Sequence, residues 1–211
     1  MRTSAYILLT CLLFFSCENK KEKSNNVVTD VAKEDSSVVV KREKSINSYA
    51  PVDVSPMDIS YFPADYPKLK MSNSTTALPK ARVIYSRPHL QGRKLFPDVL
   101  KYGEPWRLGA NEATELDLYK EVTIQGKKIK AGRYILYSIP EQEKWTIVLN
   151  SNIDSWGLHA DSSKDIARFI IPIKLTTNSL EFFTLIFQQG AGSTDLLMAW
   201  DNVEARLPIL F

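Results

Sequence analysis

The chain has 211 residues and a formal net charge of +3, because lysine and arginine only slightly outnumber aspartate and glutamate. So small a charge, without any RNA- or DNA-binding motif, argues against a nucleic acid partner. A chain of this length holds one sizeable domain and a tail, and such a domain buries enough surface to be stable without disulfides.

The N-terminus has the pattern of a targeting segment. Arg2 precedes an apolar run over residues 5–15 that is too short to span a bilayer, and Cys17 follows closely. The sequence Leu-Phe-Phe-Ser-Cys at residues 13–17 resembles a bacterial lipobox, in which the cysteine becomes the acylated first residue. The resemblance implies a lipoprotein signal peptide over residues 1–16 and palmitate-type acylation of Cys17. An ordinary secretory signal and a retained transmembrane helix are the alternatives.

Cysteine usage supports an anchored rather than a disulfide-bonded protein. The chain has two cysteines, Cys11 within the predicted signal peptide and Cys17 at the predicted lipidation site. The mature domain therefore has neither a disulfide nor a thiol nucleophile. We expect the chain to associate with the membrane through lipidated Cys17. The expected location is the bacterial cell envelope, at the outer membrane. Residues 18–23 are mixed in charge, so the membrane face stays open.

Two segments separate the predicted signal peptide from the predicted domain. Residues 17–48 carry both charges and no aromatic residue, so they cannot form a core, and we predict a flexible tether. Residues 49–79 are rich in tyrosine and proline and are predicted to form an extended arm against the domain. The prolines of this arm are Pro51, Pro56, Pro63, Pro67 and Pro79.

Residues 80–211 alternate short runs of β-branched and aromatic residues with turn residues. The pattern predicts an all-β fold, an antiparallel β-sandwich of jelly-roll type with short helical turns. Gln125 and Gly126 predict a hairpin turn, and residues 182–187, apolar on both faces, predict a central strand. Residues 161–168 are the best candidate for a short helix. In the C-terminal third, separate strands are predicted over residues 167–175, 180–187, 195–200 and 203–209.

The most distinctive stretch is residues 82–114, which concentrates arginine, aromatic residues, glycine and proline. Its candidate binding residues are Arg87, Arg93, Tyr102, Trp106, Arg107, Asn111 and Glu112. In a ligand-binding interpretation the guanidinium groups bind carboxylate or phosphate oxygens, the aromatic residues form an apolar wall, and the last two residues fix the arginines or contact hydroxyls. In a structural interpretation the arginines pair with nearby carboxylates and the aromatic residues anchor the loop in the core.

A series of motifs in this region resembles a known family. They are SRP at residues 86–88, GRKLF at 92–96, YG at 102–103, WRLGANEAT at 106–114, AGRY at 131–134, IP at 139–140 and W-x-x-x-x-N at 145–150. Their order and spacing are similar to those of the domain of unknown function 2911 family of bacterial envelope lipoproteins, over about residues 80–209. The resemblance implies a fold type, an envelope compartment and recurrent positions, but no reaction.

No pattern in the mature chain predicts a cofactor or a metal site. His89 and His159 are far apart, and without cysteines a zinc site would need several carboxylates as well. Ser86 and His89 lie close in sequence but without an oxyanion motif. The glycines are scattered as turn residues and form no phosphate-binding loop. We therefore expect no cofactor and no metal.

The sequence leaves three kinds of function open. The first is a lipid-anchored binding module whose arginine-rich loop recognises an acidic or polyhydroxylated partner, such as envelope glycan or another envelope protein. The second is a hydrolase of envelope glycan or related material, in which Glu112 and a second carboxylate act as acid and base. The third is a structural module that supports a larger assembly. The balance favours a protein that is not an enzyme.

Overall fold

A computed structural model describes residues 53–211 of the chain. The predicted signal peptide, Cys17, the tether and the first residues of the arm lie outside the described residues. The strands are β1 Met57–Phe62, β2 Ala81–Ser86, β3 Thr114–Leu118, β4 Val122–Ile124, β5 Lys127–Ile129, β6 Gly132–Pro140, β7 Lys144–Asn150, β8 Asp165–Gln189 and β9 Thr194–Ile209. The helical elements are α1 Tyr66–Met71, a π-type turn Leu95–Val99 and a 3-10 turn Ser162–Lys164.

Seven of the strands form one antiparallel sheet in the order β1-β2-β3-β6-β7-β8-β9, which curls into a half-barrel. The remaining two, β4 and β5, form a small hairpin ribbon around Gln125 and Gly126. The prediction of a mostly antiparallel β fold is confirmed. The jelly-roll sandwich arrangement stays a prediction.

The core lies on the concave side of the curled sheet because alternate strand residues point inward. In β2, Val83 is buried between half-buried Arg82 and Ile84, and in β3 Leu116 is buried between half-buried Glu115 and Asp117. The largest fully buried side chains are Trp145 in β7, Trp200 in β9, Tyr85 in β2 and Phe183 in β8.

Strand β8 is the longest element and connects two parts of the sheet. Its residues 165–172 pair with β7, and its residues 173–189 pair with β9. Pro172, which cannot donate to a ladder, takes part in the last pair with β7, opposite Lys144. The strands predicted separately in this third of the chain are therefore two long strands with register shifts. The short helix predicted over residues 161–168 is wrong, since a 3-10 turn leads directly into β8.

The segment predicted as an extended arm also contributes a strand to the sheet. Residues 57–62 form β1, the strand at one end of the sheet, in full antiparallel register with β2. The helix α1 follows, with a proline in its first turn and no buried residue. Alternation of apolar and polar residues in Met57–Phe62 is what permits this pairing. No helix within residues 53–211 reaches the length and apolarity that a membrane span requires.

Candidate functional site

Trp106 fixes the candidate loop to the sheet. Its backbone N–H donates to the carbonyl of Ser138 at 2.7 Å, and the Ser138 N–H donates back at 2.8 Å. The half-buried indole packs against Trp200, with ring centroids 5.6 Å apart, and edge-on against Phe183 at 4.9 Å. Its Nε1–H donates to the carbonyl of Gly109. Trp106 is therefore a core anchor, and this places the next residue, Arg107, at a defined position.

Arg107 is the candidate arginine whose Nε atom has no hydrogen-bond acceptor among residues 53–211. This Nε atom is buried. Burial lowers the pKa of Arg107, and the charge of nearby Glu112 opposes this effect. Glu112 itself is exposed. A buried N–H without an acceptor carries a desolvation cost.

The Arg107 side chain lines a small, partly open recess with a volume of about 10 Å³, which is room for about one water molecule. The far wall is the loop of residues 151–161, which joins β7 to the turn before β8. The groups used below are, besides Arg107 itself, Tyr137, Asn152, Ser155, Gly157 and His159. One cation and one carboxylate, that of Asp161, thus lie beside groups that donate or accept hydrogen bonds, and Arg107 is the lining group that suits a polar anion.

A buried amide holds the far wall in place. Asn150, at the end of β7, donates through Nδ2 to the carbonyl of Asp161 and to Oδ1 of Asp165, at 2.8 Å each. Its Oδ1 accepts the backbone N–H of Asn152 at 2.7 Å. Buried polar groups that are fully hydrogen-bonded specify one backbone arrangement. The loop that forms the recess is therefore held at the end of β7 by these hydrogen bonds.

Tyr137 closes the floor of the recess. Its hydroxyl donates to the carboxylate of Asp165, with both oxygens at 3.0 Å. Desolvation, reinforced by the Asp165 hydrogen bond and charge, raises the pKa of Tyr137 to about 12. Arg168 pairs with the same carboxylate. Asp165 is thus fully occupied by its neighbours and does not compete for Arg107.

The other two candidate arginines bond within the protein. Arg87 donates through Nε to the carbonyl of Phe183 at 3.1 Å, and its terminal nitrogens reach Asp58 and Thr184 at 3.4 and 3.3 Å. Arg93 donates to two carbonyls of its own loop, those of Leu90 at 2.8 Å and of His89 at 3.1 Å. Neither side chain lines the recess. The three arginines therefore do not converge on one site.

The remaining candidate residues lie apart from the recess lining. Tyr102 is 46% exposed and stacks on Phe96 with ring centroids 4.1 Å apart. Asn111 has a positive φ of 57° and donates from its amide to the carboxylate of Asp53. Of the seven candidates, Arg107 lines the recess. Glu112 lies near Arg107, and Trp106, the residue before Arg107, anchors the loop in the core.

Sequence reasoning did not identify the far wall as part of the site. Asn150 and Gly157 were visible only as the end of the W-x-x-x-x-N motif and as part of the Trp-Gly-Leu-His run at residues 156–159. The residue pattern within 82–114 does not indicate that residues 151–161 complete the site.

The recess contains one carboxyl with a shifted pKa, Asp161, whose pKa is lowered chiefly by the hydrogen bond from the Ser163 hydroxyl.

Comparison with known proteins gives one match. A family described as a protein of unknown function (DUF2911) matches residues 67–209. The match begins within α1, somewhat before residue 80, where the motif resemblance begins, and it runs to the end of β9. No curated protein and no solved structure matches the chain.

Proposed function

This chain belongs to the DUF2911 family of proteins of unknown function, and we propose that it is a binding module of the bacterial cell envelope that captures a carboxylate-bearing partner at Arg107. The single observation behind the proposal is the Arg107 guanidinium, half-buried beside a recess and without an internal acceptor among the described residues. The proposal narrows the predicted three-arginine site to one guanidinium.

A carboxylate fits this position better than other anions do. Two oxygens in one plane can accept together from the two terminal nitrogens of a guanidinium. Asn152 and Ser155 supply neutral hydrogen-bonding groups around that pair. A single cation of this kind offsets one negative charge, whereas a phosphate dianion in so small a recess would retain uncompensated charge.

Arg87 and Arg93 differ from Arg107 because their donors are already hydrogen-bonded within the protein. Arg87 ties the end of β2 to β8, and Arg93 tightens the turn after it, so both contribute to the fold. A functional guanidinium must instead keep donors available for its partner. Only Arg107 among the three combines burial, an unpartnered Nε and an adjacent recess within the described residues.

The envelope location rests on the N-terminal sequence. An apolar run followed by Cys17 in a lipobox-like context supports cleavage after residue 16 and acylation of Cys17. Each buried methylene of an acyl chain contributes about 0.8 kcal/mol to membrane attachment. The tether then sets the distance between the membrane and the recess. We extend the proposal to an outer-membrane anchor on this basis.

The hydrolase remains a prediction that no observation favours. Glu112, its expected acid or base, is exposed, and Asp161, the carboxyl that lines the recess, has a lowered pKa. A general acid at neutral pH requires a raised pKa instead.

The carboxylate site can be tested directly at its buried nitrogen. In ¹⁵N-labelled protein, the Nε–Hε cross peak of Arg107, assigned with Arg107→Lys, is followed while acetate and then succinate are added. We expect a saturating shift of this cross peak, with those of Arg87 and Arg93 unchanged. Equal shifts of all three, or none at saturating ligand, would contradict the proposal.

A further inference from the structure

The loop of residues 151–161 presents a group of exposed apolar side chains. Ile153 is 44% exposed, Trp156 54% and Leu158 62%, so three large apolar residues within a short stretch face solvent. The other three tryptophans of the chain are buried or half-buried. Single exposed apolar residues are common on protein surfaces, whereas several close together indicate a contact surface. We call these three residues the apolar loop.

Trp156 and Leu158 lie outside the recess. They alternate along the chain with residues that line it, namely Ser155, Gly157 and His159. Gly157 packs inward, since a Cβ placed on it would be 3.1 Å from the Cβ of Arg107. The exposed side chains on either side of Gly157 are therefore available to a partner that does not enter the recess.

The described part of the chain begins close to the apolar loop. The amide of Asn111 donates to the carboxylate of Asp53 and, at 3.5 Å, to the carbonyl of Ser55. Ala113 contacts the apolar loop, since a Cβ placed on Gly157 would be 2.8 Å from the Cβ of Ala113. Both contacts are made within residues 111–113, whose end Cα atoms are at most about 7.6 Å apart. The segment that leads back to Cys17 thus leaves the domain near the apolar loop.

The surface of a lipid bilayer matches this loop better than a charged partner does. Tryptophan has an apolar body and one N–H donor, so its ring is stable at the level of the lipid headgroups, with aliphatic side chains beside it. Residues 151–164 contain Asp154, Asp161 and Lys164 as their only acidic and basic residues. Without an excess of positive charge, the loop has no electrostatic attraction to anionic lipid, so apolar insertion into a zwitterionic surface is the remaining contact.

The predicted tether makes a weak contact sufficient. A coil with the length of residues 17–52 has a root-mean-square end-to-end distance of about 33 Å. A domain held so close to the bilayer meets it at a high effective concentration, so few side chains are needed for docking.

We propose that the apolar loop docks the domain on the surface of the bilayer in which acylated Cys17 is anchored. The inference rests on the lipid anchor of the proposed function and is independent of carboxylate binding at Arg107. It adds a second membrane contact, which fixes the orientation of the domain relative to the bilayer.

The test is quenching of tryptophan fluorescence by brominated lipid. The full chain is reconstituted in phosphatidylcholine vesicles with or without bromine on the acyl chains, and flotation with the vesicles reports the anchor separately. Trp156→Phe removes the exposed indole, whereas Leu158→Asp keeps it and places a charge in the apolar loop. Leu78→Asp is the matched control, at a leucine outside regular structure that is 70% exposed and distant in sequence from the apolar loop.

We expect the wild-type chain to float and its emission to be quenched by brominated lipid, with this quenching absent in Trp156→Phe. Leu158→Asp should lower the ratio of docked to undocked domain at least about tenfold, because one leucine is no longer buried in lipid. Leu78→Asp should leave the quenching unchanged. Both substituted leucines are exposed, so the unfolding midpoints should stay the same. Added salt should leave the quenching unchanged.

Three outcomes would contradict the inference in different ways. Flotation without quenching, or equal quenching in wild type and Leu158→Asp, would overturn docking and leave the anchor intact. Quenching that disappears in high salt would overturn apolar insertion. A chain that does not float would overturn the anchor and docking together, whereas the Arg107 cross-peak shift with acetate tests the carboxylate site independently.

Discussion

Gly157 lies so close to Arg107 that a Cβ placed on the glycine would be 3.1 Å from the Cβ of Arg107. The same Cβ would be 2.8 Å from the Cβ of Ala113, and Gly157 has a positive φ of 78°. Steric room and backbone conformation both require glycine here. The two walls of the recess are therefore in direct contact at this residue.

Gly157→Ala should destabilise the protein and displace the far wall. A matched control is Gly103→Ala, which has the same φ but no atom within 4 Å of a new Cβ. The control should cost about 1 kcal/mol for the backbone conformation alone. Gly157→Ala should cost a further 1–3 kcal/mol or so for the steric overlap and weaken carboxylate binding. Urea unfolding of both variants measures the difference, and equal losses would contradict the close packing.

Arg107→Met and Arg87→Met should separate binding from folding. Arg107→Met removes a half-buried cation whose Nε has no acceptor within residues 53–211, so the free energy of unfolding should stay the same or rise while the carboxylate response disappears. Arg87→Met loses bonds to Phe183, Thr184 and Asp58 and should cost about 1–3 kcal/mol, with carboxylate binding retained. A large stability loss in Arg107→Met with normal binding would show that Arg107 is structural.

Tyr137→Phe should change the stability of the protein at alkaline pH. Because the pKa of Tyr137 is raised from 10.0 to about 12, folding favours the protonated phenol. The stabilisation that the protonated phenol contributes to the folded state is complete below the ordinary tyrosine pKa of 10.0. It is lost as the pH rises through about 12. The variant should be less stable by about 1 kcal/mol at pH 8, and the difference should shrink toward pH 12. A difference independent of pH would contradict the prediction. Tyr85, also raised to about 12, titrates in both proteins.

Cys17→Ser should abolish the membrane anchor and leave the domain unchanged. Wild-type protein from a bacterial host should begin at residue 17 with the mass of an acylated cysteine and partition into detergent. The variant should keep residues 1–16 and show the same fluorescence and unfolding midpoint. A wild-type mass that still includes residues 1–16, without acyl groups, would contradict the lipoprotein prediction.

The sequence predicted the strands best where one face is buried. Short runs of β-branched and aromatic residues between turn residues indicated strands, and in β3 Leu116 is buried between half-buried neighbours because strand side chains point to opposite faces. It did not predict that β8 and β9 are continuous. The register passes from Leu175 opposite Val203 to Leu180 opposite Asp201, so extra residues of β8 bulge out. Asparagine, serine and aspartate occur both in bulges and in turns, so the residue types of a short segment do not show which of the two it forms.

The candidate site was predicted only in part, because its contacts are distant in sequence. Arg87 reaches Asp58 and Phe183, which are 29 and 96 residues away, so its proximity in sequence to Arg107 did not indicate a shared site. Trp156 could be recognised as a loop tryptophan. Its 54% exposure depends on how residues 151–161 attach to the sheet, which residue types alone do not indicate.

The pairing of β8 with β7 and then with β9 has a consequence for biogenesis. Residues 194–209 are synthesised after β8, so the Phe-Phe-Thr-Leu-Ile-Phe segment at residues 182–187 lacks its hydrogen-bonded neighbour until they emerge. Such a β-prone, uncharged segment is an aggregation hazard while it waits. A holding chaperone would shield this segment, and we expect C-terminally clipped chains to be degraded rather than to accumulate.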